Sequence, residues 1–296
     1  MIDPALYALF AEPVLDIEFL DPGYTDHGSD VWRVTLASRT VIVRASRLGQ
    51  SGGPFWEGLE YLFGVDPRPV HRMGRLNALL RQLGAFPVPA VLSQGYLGTR
   101  EAVVVEHLPG EPLPELNQLP SALLENFGVS LARLHSCCLD WFGTVTDEIR
   151  RPLEEFHPRL AGSLELLTNR WYADRPEICA ILPEMLDQAK RLPAPRYSCP
   201  VLIDQDASQY LWDGAHITGL VDTEAFAAAP PELDLVGMEY LLNRRSAAAL
   251  ARGYRSVMPL PRLDGVRRLY RFLYLLLDVQ GETALQEWMA RKIFFP

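Results

Sequence analysis

Two carboxylates and one amide lie close together in the sequence, at the ends of two apolar runs. Asp204 ends the first run, Gln209 follows at 209 − 204 = 5 positions, and Asp222 ends the second run. Asp213-Gly214 between the runs is typical of a hairpin turn. A hairpin would bring both carboxylates to one rim, and Mg²⁺ prefers oxygen ligands of these kinds. The pattern therefore predicts a site for a divalent cation.

This stretch resembles the catalytic segment of the aminoglycoside phosphotransferase and choline kinase superfamily, relatives of the protein kinases. The family pattern is His-Gly-Asp-x-x-x-x-Asn, then a hairpin, then Ile-Asp-Trp/Phe-Glu. Without a gap, its catalytic Asp falls at Asp204 and its metal-binding Asn at Gln209. Its second metal-binding Asp falls at Asp222, 222 − 204 = 18 positions on, and its Glu falls at Glu224.

The match has departures in its first half. Leu202 stands at the family's His, Ile203 at its Gly, and Gln209 at its Asn. Gln carries the same carbonyl oxygen as Asn with one more methylene, so it can still coordinate a metal from a shifted backbone. The change to Leu202 removes a structural His and leaves the expected base, Asp204, in place.

The resemblance covers roughly residues 20 to 280. It implies an α+β, two-lobed protein-kinase-like fold, with a small β-rich lobe over residues 1–107 and a larger helical lobe over residues 108–296. It also implies an enzyme that transfers the γ-phosphate of ATP, with Mg²⁺, to a hydroxyl of a small metabolite or an aminoglycoside-like acceptor. In this scheme Asp204 is the catalytic base, and Asp222 with Gln209 holds the metal.

A glycine-bearing turn and a basic strand residue come earlier in the chain. Gly23 and Gly28 lie between β-patterned stretches, as in a loop that covers phosphates, although two glycines at a hairpin can also be only a turn. Arg44 falls where kinases have their phosphate-binding Lys. Kinases pair that residue with a Glu of the next helix, and residues 71–83 contain no acid. We therefore expect Glu60, rather than Glu57, to pair with Arg44, although both could be solvated charges.

A strand and a Pro-Gly link follow in the middle of the chain. Ala102–Glu106 has the pattern of a buried strand, and His107-Leu108-Pro109-Gly110 continues it. The segment resembles the superfamily's Met-Glu-x-x-Pro-Gly-x-Pro-Leu link between the lobes. The resemblance implies that the backbone of Glu106, His107 and Leu108 lines the pocket for the nucleotide base.

Further acids are expected to support the site or contact the substrate. The segment Pro-Pro-Glu-Leu-Asp-Leu after the hairpin resembles the family's Asp-Pro-x-x-Asp-Leu-Ala, whose second Asp braces the catalytic loop. That position is Asp234, and Glu232 precedes it. Asp206 and Glu224 are placed in the same supporting or substrate-facing group.

Composition limits the possible partners. The 296 residues carry a formal net charge of −9, whereas nucleic acids and anionic membranes require a basic face. We therefore expect a nucleotide and a small molecule as partners, with no nucleic acid and no membrane. The four cysteines lack metal-binding spacing, and Met1-Ile2-Asp3-Pro4 lacks the features of a signal peptide. A cytoplasmic protein with reduced cysteines is expected.

Two other functions are compatible with parts of the pattern. The lost His, the Asn-to-Gln change and the missing helix Glu also suit a pseudokinase, a nucleotide-binding or regulatory module without phosphotransfer. Retained Asp204 and Asp222 favour the enzyme. A kinase of protein substrates is disfavoured because no Ala-Pro-Glu segment follows Asp222. The acceptor, and the choice between ATP and GTP, stay open at this point.

Overall fold

The N-terminal part of the protein is built on one antiparallel sheet. The computed structural model describes residues 4–21, 28–47, 52–281 and 283–296. The strands of the sheet are β1 (Val14–Phe19), β2 (Ser29–Leu36), β3 (Thr40–Ser46), β4 (Val91–Leu97) and β5 (Arg100–Glu106). Their order across the sheet is β1-β2-β3-β5-β4, and each neighbouring pair is antiparallel.

Alternation along β2 and β3 sends successive side chains to opposite faces of this sheet. One set forms the N-terminal core and consists of Trp32, Val34, Leu36, Val41, Val43 and Ala45. The intervening residues Val31, Arg33, Ile42 and Arg44 line a cleft on the other face. Because the side-chain period of a strand is two, the register that buries Val43 also directs Arg44 into the cleft.

The C-terminal part is mainly helical and contains two small sheets. The helices of the described chain, numbered in chain order, are α1 (Gly53–Phe63), α2 (Met73–Leu83), α3 (Ser121–His135), α4 (Phe156–Trp171), α5 (Pro176–Arg191), α6 (Glu232–Leu241), α7 (Arg244–Arg255), α8 (Arg267–Leu276) and α9 (Leu285–Met289). One sheet contains β6 (Glu111–Pro112), β10 (Tyr210–Trp212) and β11 (Ile217–Leu220). The other contains β7 (Trp141–Gly143), β8 (Arg150–Pro152), β9 (Cys199–Leu202) and β12 (Phe226–Ala229).

Helix α1 follows β3 in sequence but packs with the C-terminal helices. Its buried residues Leu59, Leu62 and Phe63 belong to the same apolar core as α4. The Phe63 ring lies 6.3 Å from that of Phe156, the first residue of α4. The chain therefore crosses into the helical part after β3, and it contacts the N-terminal sheet again at Val70 and Met73, at the start of α2. The predicted lobe boundary after residue 107 stays a prediction. Helix α1 precedes that boundary in sequence, yet it packs with the C-terminal helices.

Helices α3 and α7 lie in close contact and position a buried histidine. A Cβ atom at Gly128 of α3 would lie only 2.1 Å from the carbonyl oxygen of Leu250, so glycine permits this approach. The approach brings Tyr254 of α7 to the C-terminal end of α3, where its hydroxyl lies 2.8 Å from Nδ1 of His135. The same imidazole contacts the active-site region, as described below.

A buried ion cluster fixes the C-terminal tail. The fully buried carboxylate of Glu239 accepts hydrogen bonds from Arg267 Nε at 3.2 Å and from Arg271 Nη2 at 2.7 Å. It also accepts from the backbone amides of Phe294 at 2.9 Å and Phe295 at 3.3 Å. One side chain thus joins α6, α8 and the tail.

Replacing Glu239 with alanine should lower the free energy of unfolding by about 3–5 kcal/mol, because two buried guanidinium groups would lose the buried carboxylate that they share. Urea denaturation measures this change. Glu184→Ala is the matched control, since Glu184 pairs with Arg268 while half of each side chain is exposed. The control should cost no more than about 1 kcal/mol, and equal losses in the two variants would contradict the buried cluster.

Candidate active site

A cleft with a volume of about 260 Å³ lies between the N-terminal sheet and the β10–β11 hairpin. Its apolar lining consists of Leu20, Val31, Ile42, Pro89, Val105, Leu108 and Leu211. Glu106 and His107 lie along the same cleft, as do Arg44 and Asp222. The structure thus brings the link at 106–108 together with a basic and an acidic side chain.

The link after Leu108 is held against the hairpin. Thr218 Oγ1 donates to the carbonyl of Pro109 at 2.5 Å. Gly110 has φ +114°, and a Cβ atom there would lie 2.7 Å from the carbonyl oxygen of Trp212. Only glycine adopts this conformation without strain in so little space. The strand β6 that follows pairs with β10, which fixes the floor of the cleft to the link.

Asp204 and Gln209 lie in the loop between β9 and β10. Asp206 begins a 3₁₀ turn at Ala207–Gln209, and its carboxylate accepts from the amide and the hydroxyl of Ser208, both at 2.7 Å. This turn brings Gln209 back toward Asp204, and its Nε2 donates to Asp204 Oδ2 at 3.0 Å. Asp206 therefore shapes the loop that carries the other two side chains.

The pKa of Asp204 is raised to about 7. Burial is the largest cause, and the negative charges of Asp222 and Asp206 add to it. The hydrogen bond from Gln209 acts in the opposite direction because it stabilises the ionised form. The carboxyl groups of Asp204 and Asp222 are thus near enough to interact, and Asp204 is suited to hold and release a proton near neutrality.

This pKa predicts how stability depends on pH. Between about pH 4 and pH 7 the folded protein keeps a proton on Asp204 that the unfolded chain has released. The stability contributed by the protonated group is therefore lost as the pH rises through this window. In metal-free protein, the melting temperature of wild type should fall relative to that of Asp204→Asn between pH 4 and pH 7. A difference that stays constant with pH would contradict the raised pKa.

Arg44 lies in an ion cluster with the segment that follows β11. Its Nη1 donates to the carbonyl of Val221 at 3.0 Å, and its Nη2 donates to Asp222 Oδ1 at 3.0 Å. Nη2 also lies 2.6 Å from Glu224 Oε1. The Arg44 and Glu224 side chains are 10% and 8% exposed, whereas that of Asp222 is 45% exposed. Asp222 thus remains open to the cleft, and Glu224 does not.

The protonation states in this cluster follow from burial and charge. Burial would lower the pKa of Arg44, but the carboxylates of Glu224 and Asp222 outweigh it and the pKa rises. Partial burial would raise the pKa of Asp222, but the charge of Arg44 holds it below its usual value. Burial raises the pKa of Glu224 well above its usual value, against the attraction of Arg44. Asp222 is therefore the ionised carboxylate that faces the cleft.

The family model of the phosphotransferase enzyme family matches residues 25–268. The chain belongs to this family. The match includes both acids of the hairpin, Asp204 and Asp222, and the link at 106–108. The predicted family resemblance is therefore confirmed, and the protein is a phosphotransferase that acts on a hydroxyl group.

Solved structures of similar fold support the architecture. This phosphotransferase resembles macrolide 2′-phosphotransferase MphH from Brachybacterium faecium, with a TM-score of 0.62, 16% identity, and coverage of 97% of this chain and 95% of that one. An aminoglycoside phosphotransferase APH(4)-Ia variant in ternary complex with ADP and hygromycin B gives a TM-score of 0.60, 18% identity, and coverage of 93% and 88%. A putative fructosamine-3-kinase from Haemophilus somnus gives a TM-score of 0.58 and 15% identity, with coverage of 97% of this chain and 95% of that one. No curated protein sequence is similar enough to match.

At these identities the similarity establishes the fold alone. The expected α+β architecture, with an antiparallel N-terminal sheet and a helical C-terminal part, is confirmed. The roles of individual residues in this phosphotransferase rest on the geometry of its own site.

One predicted pair does not form in this phosphotransferase. The pairing of Glu60 with Arg44 is wrong: both Glu60 oxygens accept from Arg68 Nη2 at 3.2 Å, and the Glu60 side chain is 57% exposed. The physical reason is that α1 packs on the C-terminal helices and carries Glu60 away with it. Arg44 instead pairs with Asp222 and Glu224.

Of the two glycines predicted to cover the phosphates, the structure describes only Gly28. Gly23 lies outside the described residues. Gly28 lies just before β2, where its carbonyl accepts from the amide of Arg47 at 2.9 Å and extends the pairing of β2 with β3. A contact between Gly28 and phosphate stays a prediction.

A buried layer under the loop includes Asp234. Its carboxylate lies 2.8 Å from His135 Nε2 and also accepts a hydrogen bond from Gln205 Nε2. Gln205 follows Asp204 directly, so the interaction of Asp234 with Gln205 braces the loop from below. Glu232, at the start of α6, has a pKa raised by burial, and it is not among the residues that line the cleft.

Sequence reasoning did not find Gln205, Asn77 or Thr223. Thr223 Oγ1 donates to Asn77 Oδ1 at 2.7 Å, and Asn77 Nδ2 donates to the carbonyl of Pro89 at 2.9 Å. Asn77 lies among the apolar residues of the buried face of α2, between Met73 and Leu80. A polar residue at a buried position of a helical stripe is the sequence signal that could have indicated it.

Proposed function

We propose that this phosphotransferase is a Mg²⁺-dependent small-molecule kinase. It transfers the γ-phosphate of ATP to a hydroxyl of a small metabolite or an aminoglycoside-like acceptor. The observation that carries the proposal is the cleft that joins the 106–108 link to Arg44, Ser208 and Asp222. Asp204 is not among the residues that line the cleft, but it lies in the same loop as Ser208 and is bonded to Gln209 at 3.0 Å.

The nucleotide base fits the apolar section of the cleft. Val31 and Ile42 come from the sheet side and Leu211 from the hairpin side, so a flat base would bury its faces between them. The backbone of Glu106, His107 and Leu108 would hydrogen-bond the edge of the base. The Glu106 side chain serves the link instead, since it accepts from Arg81 at 3.1 Å and from the amide of Ala90 at 3.3 Å.

The charged section of the cleft suits a triphosphate. Arg44 presents a guanidinium that matches phosphate oxygens. Its neighbour on the cleft side is the Asp222 carboxylate, so a bound polyphosphate would need both this cation and a metal ion.

The donor set fits Mg²⁺. Asp222 offers a partly exposed, ionised carboxylate, and Gln209 offers a buried carbonyl oxygen, Oε1, that has no hydrogen-bond partner. Among the described residues no group of three His, Cys, Asp or Glu side chains is arranged around a metal. This agrees with a magnesium ion held by one or two protein oxygens together with phosphates and waters. When bound, Mg²⁺ would neutralise negative charge on the phosphates.

Asp204 would take the proton of the acceptor hydroxyl. Its pKa of about 7 lies close to the pH at which a general base is most effective. The hydrogen bond from Gln209 fixes one carboxylate oxygen and leaves the other for the acceptor.

The departures from the family pattern do not remove a group that contacts the substrate. Leu202 and Ile203 are buried in the apolar core, at 3% and 0% exposed. The loop that they enter is braced through Gln205, Asp234 and His135. In this proposal the loop has other support in place of a His at position 202, which favours the enzyme over the pseudokinase.

The acceptor class follows the similar structures and the charge of the chain. Those proteins are named for macrolides and fructosamine or are bound to hygromycin B, and a net charge of −9 is compatible with cationic acceptors. None of the helices in the described chain is long and apolar enough to cross a membrane. We infer that the protein acts in the cytoplasm on dissolved acceptors.

An acceptor screen tests the function. Purified protein with Mg²⁺ and ATP is mixed with macrolides, aminoglycosides, fructosamines and amino alcohols, and products are detected by mass spectrometry as acceptors that have gained one phosphoryl group. Asp204→Asn is the matched control and should form product about 100- to 10,000-fold more slowly than wild type. Nucleotide binding without transfer to any acceptor would favour a non-catalytic module, and absence of nucleotide binding would contradict the proposal.

A further inference from the structure

We propose that Glu224 is the residue that positions Arg44 for the nucleotide phosphates, in place of a carboxylate from the helix after β3. The inference rests on the proposed function, in which Arg44 contacts phosphate. It assigns different tasks to two acids of one loop: Asp222 serves the metal and Glu224 serves Arg44.

The acids of α1 are engaged elsewhere. Glu57 accepts from Arg170 Nη1 at 2.7 Å and from Trp171 Nε1 at 2.6 Å, both at the end of α4. Glu60 accepts from Arg68. Because α1 is anchored to the C-terminal helices through its apolar face, neither carboxylate can reach Arg44 without undocking the helix.

Helix α2 contributes an amide where a carboxylate would be needed. It contains no acidic residue, and its buried Asn77 bonds Thr223, which lies between Asp222 and Glu224 in sequence. Asn77 also bonds the carbonyl of Pro89, just before β4. The helix therefore holds the loop that carries Asp222 and Glu224, and it does not hold Arg44 directly.

The loop in turn holds Arg44. The contact between Arg44 Nη2 and Glu224 Oε1 is 2.6 Å long, and both side chains are at least nine-tenths buried. A buried guanidinium requires a partner, since an uncompensated buried charge is costly. Val221 accepts from Nη1 at 3.0 Å and fixes the plane of the group.

Exposure separates the roles of the two acids. Asp222 is 45% exposed and lines the cleft, so a metal ion can draw it away from Arg44. Glu224 does not line that cleft: its side chain is only 8% exposed, and it borders a separate pocket next to Gly64 and Met73. Arg44 would therefore keep Glu224 as its partner if Asp222 bound a metal ion.

The test is nucleotide binding by Glu224→Gln, a change that keeps the shape of the side chain and replaces the carboxyl group that contacts Arg44 with an amide. Affinity for ATP, measured by calorimetry with EDTA so that no metal takes part, should fall by about 10- to 100-fold, as for the loss of a close polar contact with a charged group. Affinity for adenosine should stay within about twofold, because adenosine has no phosphate. With Mg²⁺ and an acceptor, KM for ATP should rise while KM for the acceptor is unchanged.

Glu60→Gln is the matched control, and its ATP affinity and KM should equal those of wild type. The inference is overturned if Glu224→Gln binds metal-free ATP as wild type does, or if its affinity for ATP falls only when Mg²⁺ is present. It is also overturned if the affinities of this variant for ATP and adenosine fall equally, or if Glu60→Gln loses the same affinity for ATP. A melting curve of each variant identifies misfolding. If Glu224→Gln is misfolded, Glu224→Asp, which keeps the charge on a shorter side chain, takes its place and should show a smaller rise in KM for ATP. A wild-type protein that binds no ATP would contradict the proposed function itself.

Discussion

Asp222→Asn should abolish the dependence of nucleotide binding on Mg²⁺. The ionised, partly exposed Asp222 carboxylate is the acid at the phosphate section of the cleft. The amide that replaces it keeps an oxygen for Arg44 but loses the charge that holds the cation. Metal affinity should fall by more than about 100-fold. Mutation of a residue that only hydrogen-bonds a metal ligand typically lowers metal affinity by about 10- to 100-fold, and loss of the ligand itself should lower it further.

Calorimetry with a non-hydrolysable ATP analogue, with and without Mg²⁺, measures this effect. Asp213→Asn is the control, because Asp213 is an exposed acid of the same hairpin whose carboxylate accepts from the amides of Ala215 and His216. An asparagine can accept the same bonds, so this variant should bind as wild type does. If Asp222→Asn keeps the full stimulation of binding by Mg²⁺, the metal lies elsewhere.

Asp204→Asn should reduce kcat by about 100- to 10,000-fold and change nucleotide affinity little. A general base typically contributes this factor, and the amide cannot accept a proton from the acceptor hydroxyl at neutral pH. The substitution is nearly isosteric, so the Gln209 hydrogen bond at position 204 can persist. Steady-state rates of ADP release at saturating ATP and acceptor, with binding measured in parallel, separate the two effects.

Asp206→Asn is the control for the loss of kcat. Asp206 is exposed and caps the 3₁₀ turn, and asparagine caps such turns equally well. Its kcat should stay within about tenfold of wild type, because it alters only a charge near Asp204. An Asp204→Asn protein with undiminished turnover would remove Asp204 from the chemistry.

The hairpin and the sheet could be predicted from the sequence for physical reasons. Asp213-Gly214 selects a tight turn, and the alternation through β3 sets which residues face the core. Local rules of period and turn chemistry are sufficient for these two elements. That the link and the hairpin meet at one cleft was implied by the family resemblance and not by local pattern.

The partner of Arg44 could not be predicted in the same way. The apolar stripe of α1, with Leu59, Leu62 and Phe63, indicates a buried face but not the surface that covers it. That stripe packs on α4 rather than under the N-terminal sheet, which carries Glu60 away. The result depends on the shapes of two distant surfaces, which periodicity does not encode.

The most direct test of the central claim is a crystal structure of the protein with Mg²⁺ and a non-hydrolysable ATP analogue. The expected result is a base between Ile42 and Leu211, a metal ion on Asp222 and Gln209, and a γ-phosphate next to Asp204. A nucleotide bound outside this cleft, or a γ-phosphate beyond hydrogen-bonding reach of an acceptor held by Asp204, would contradict the account.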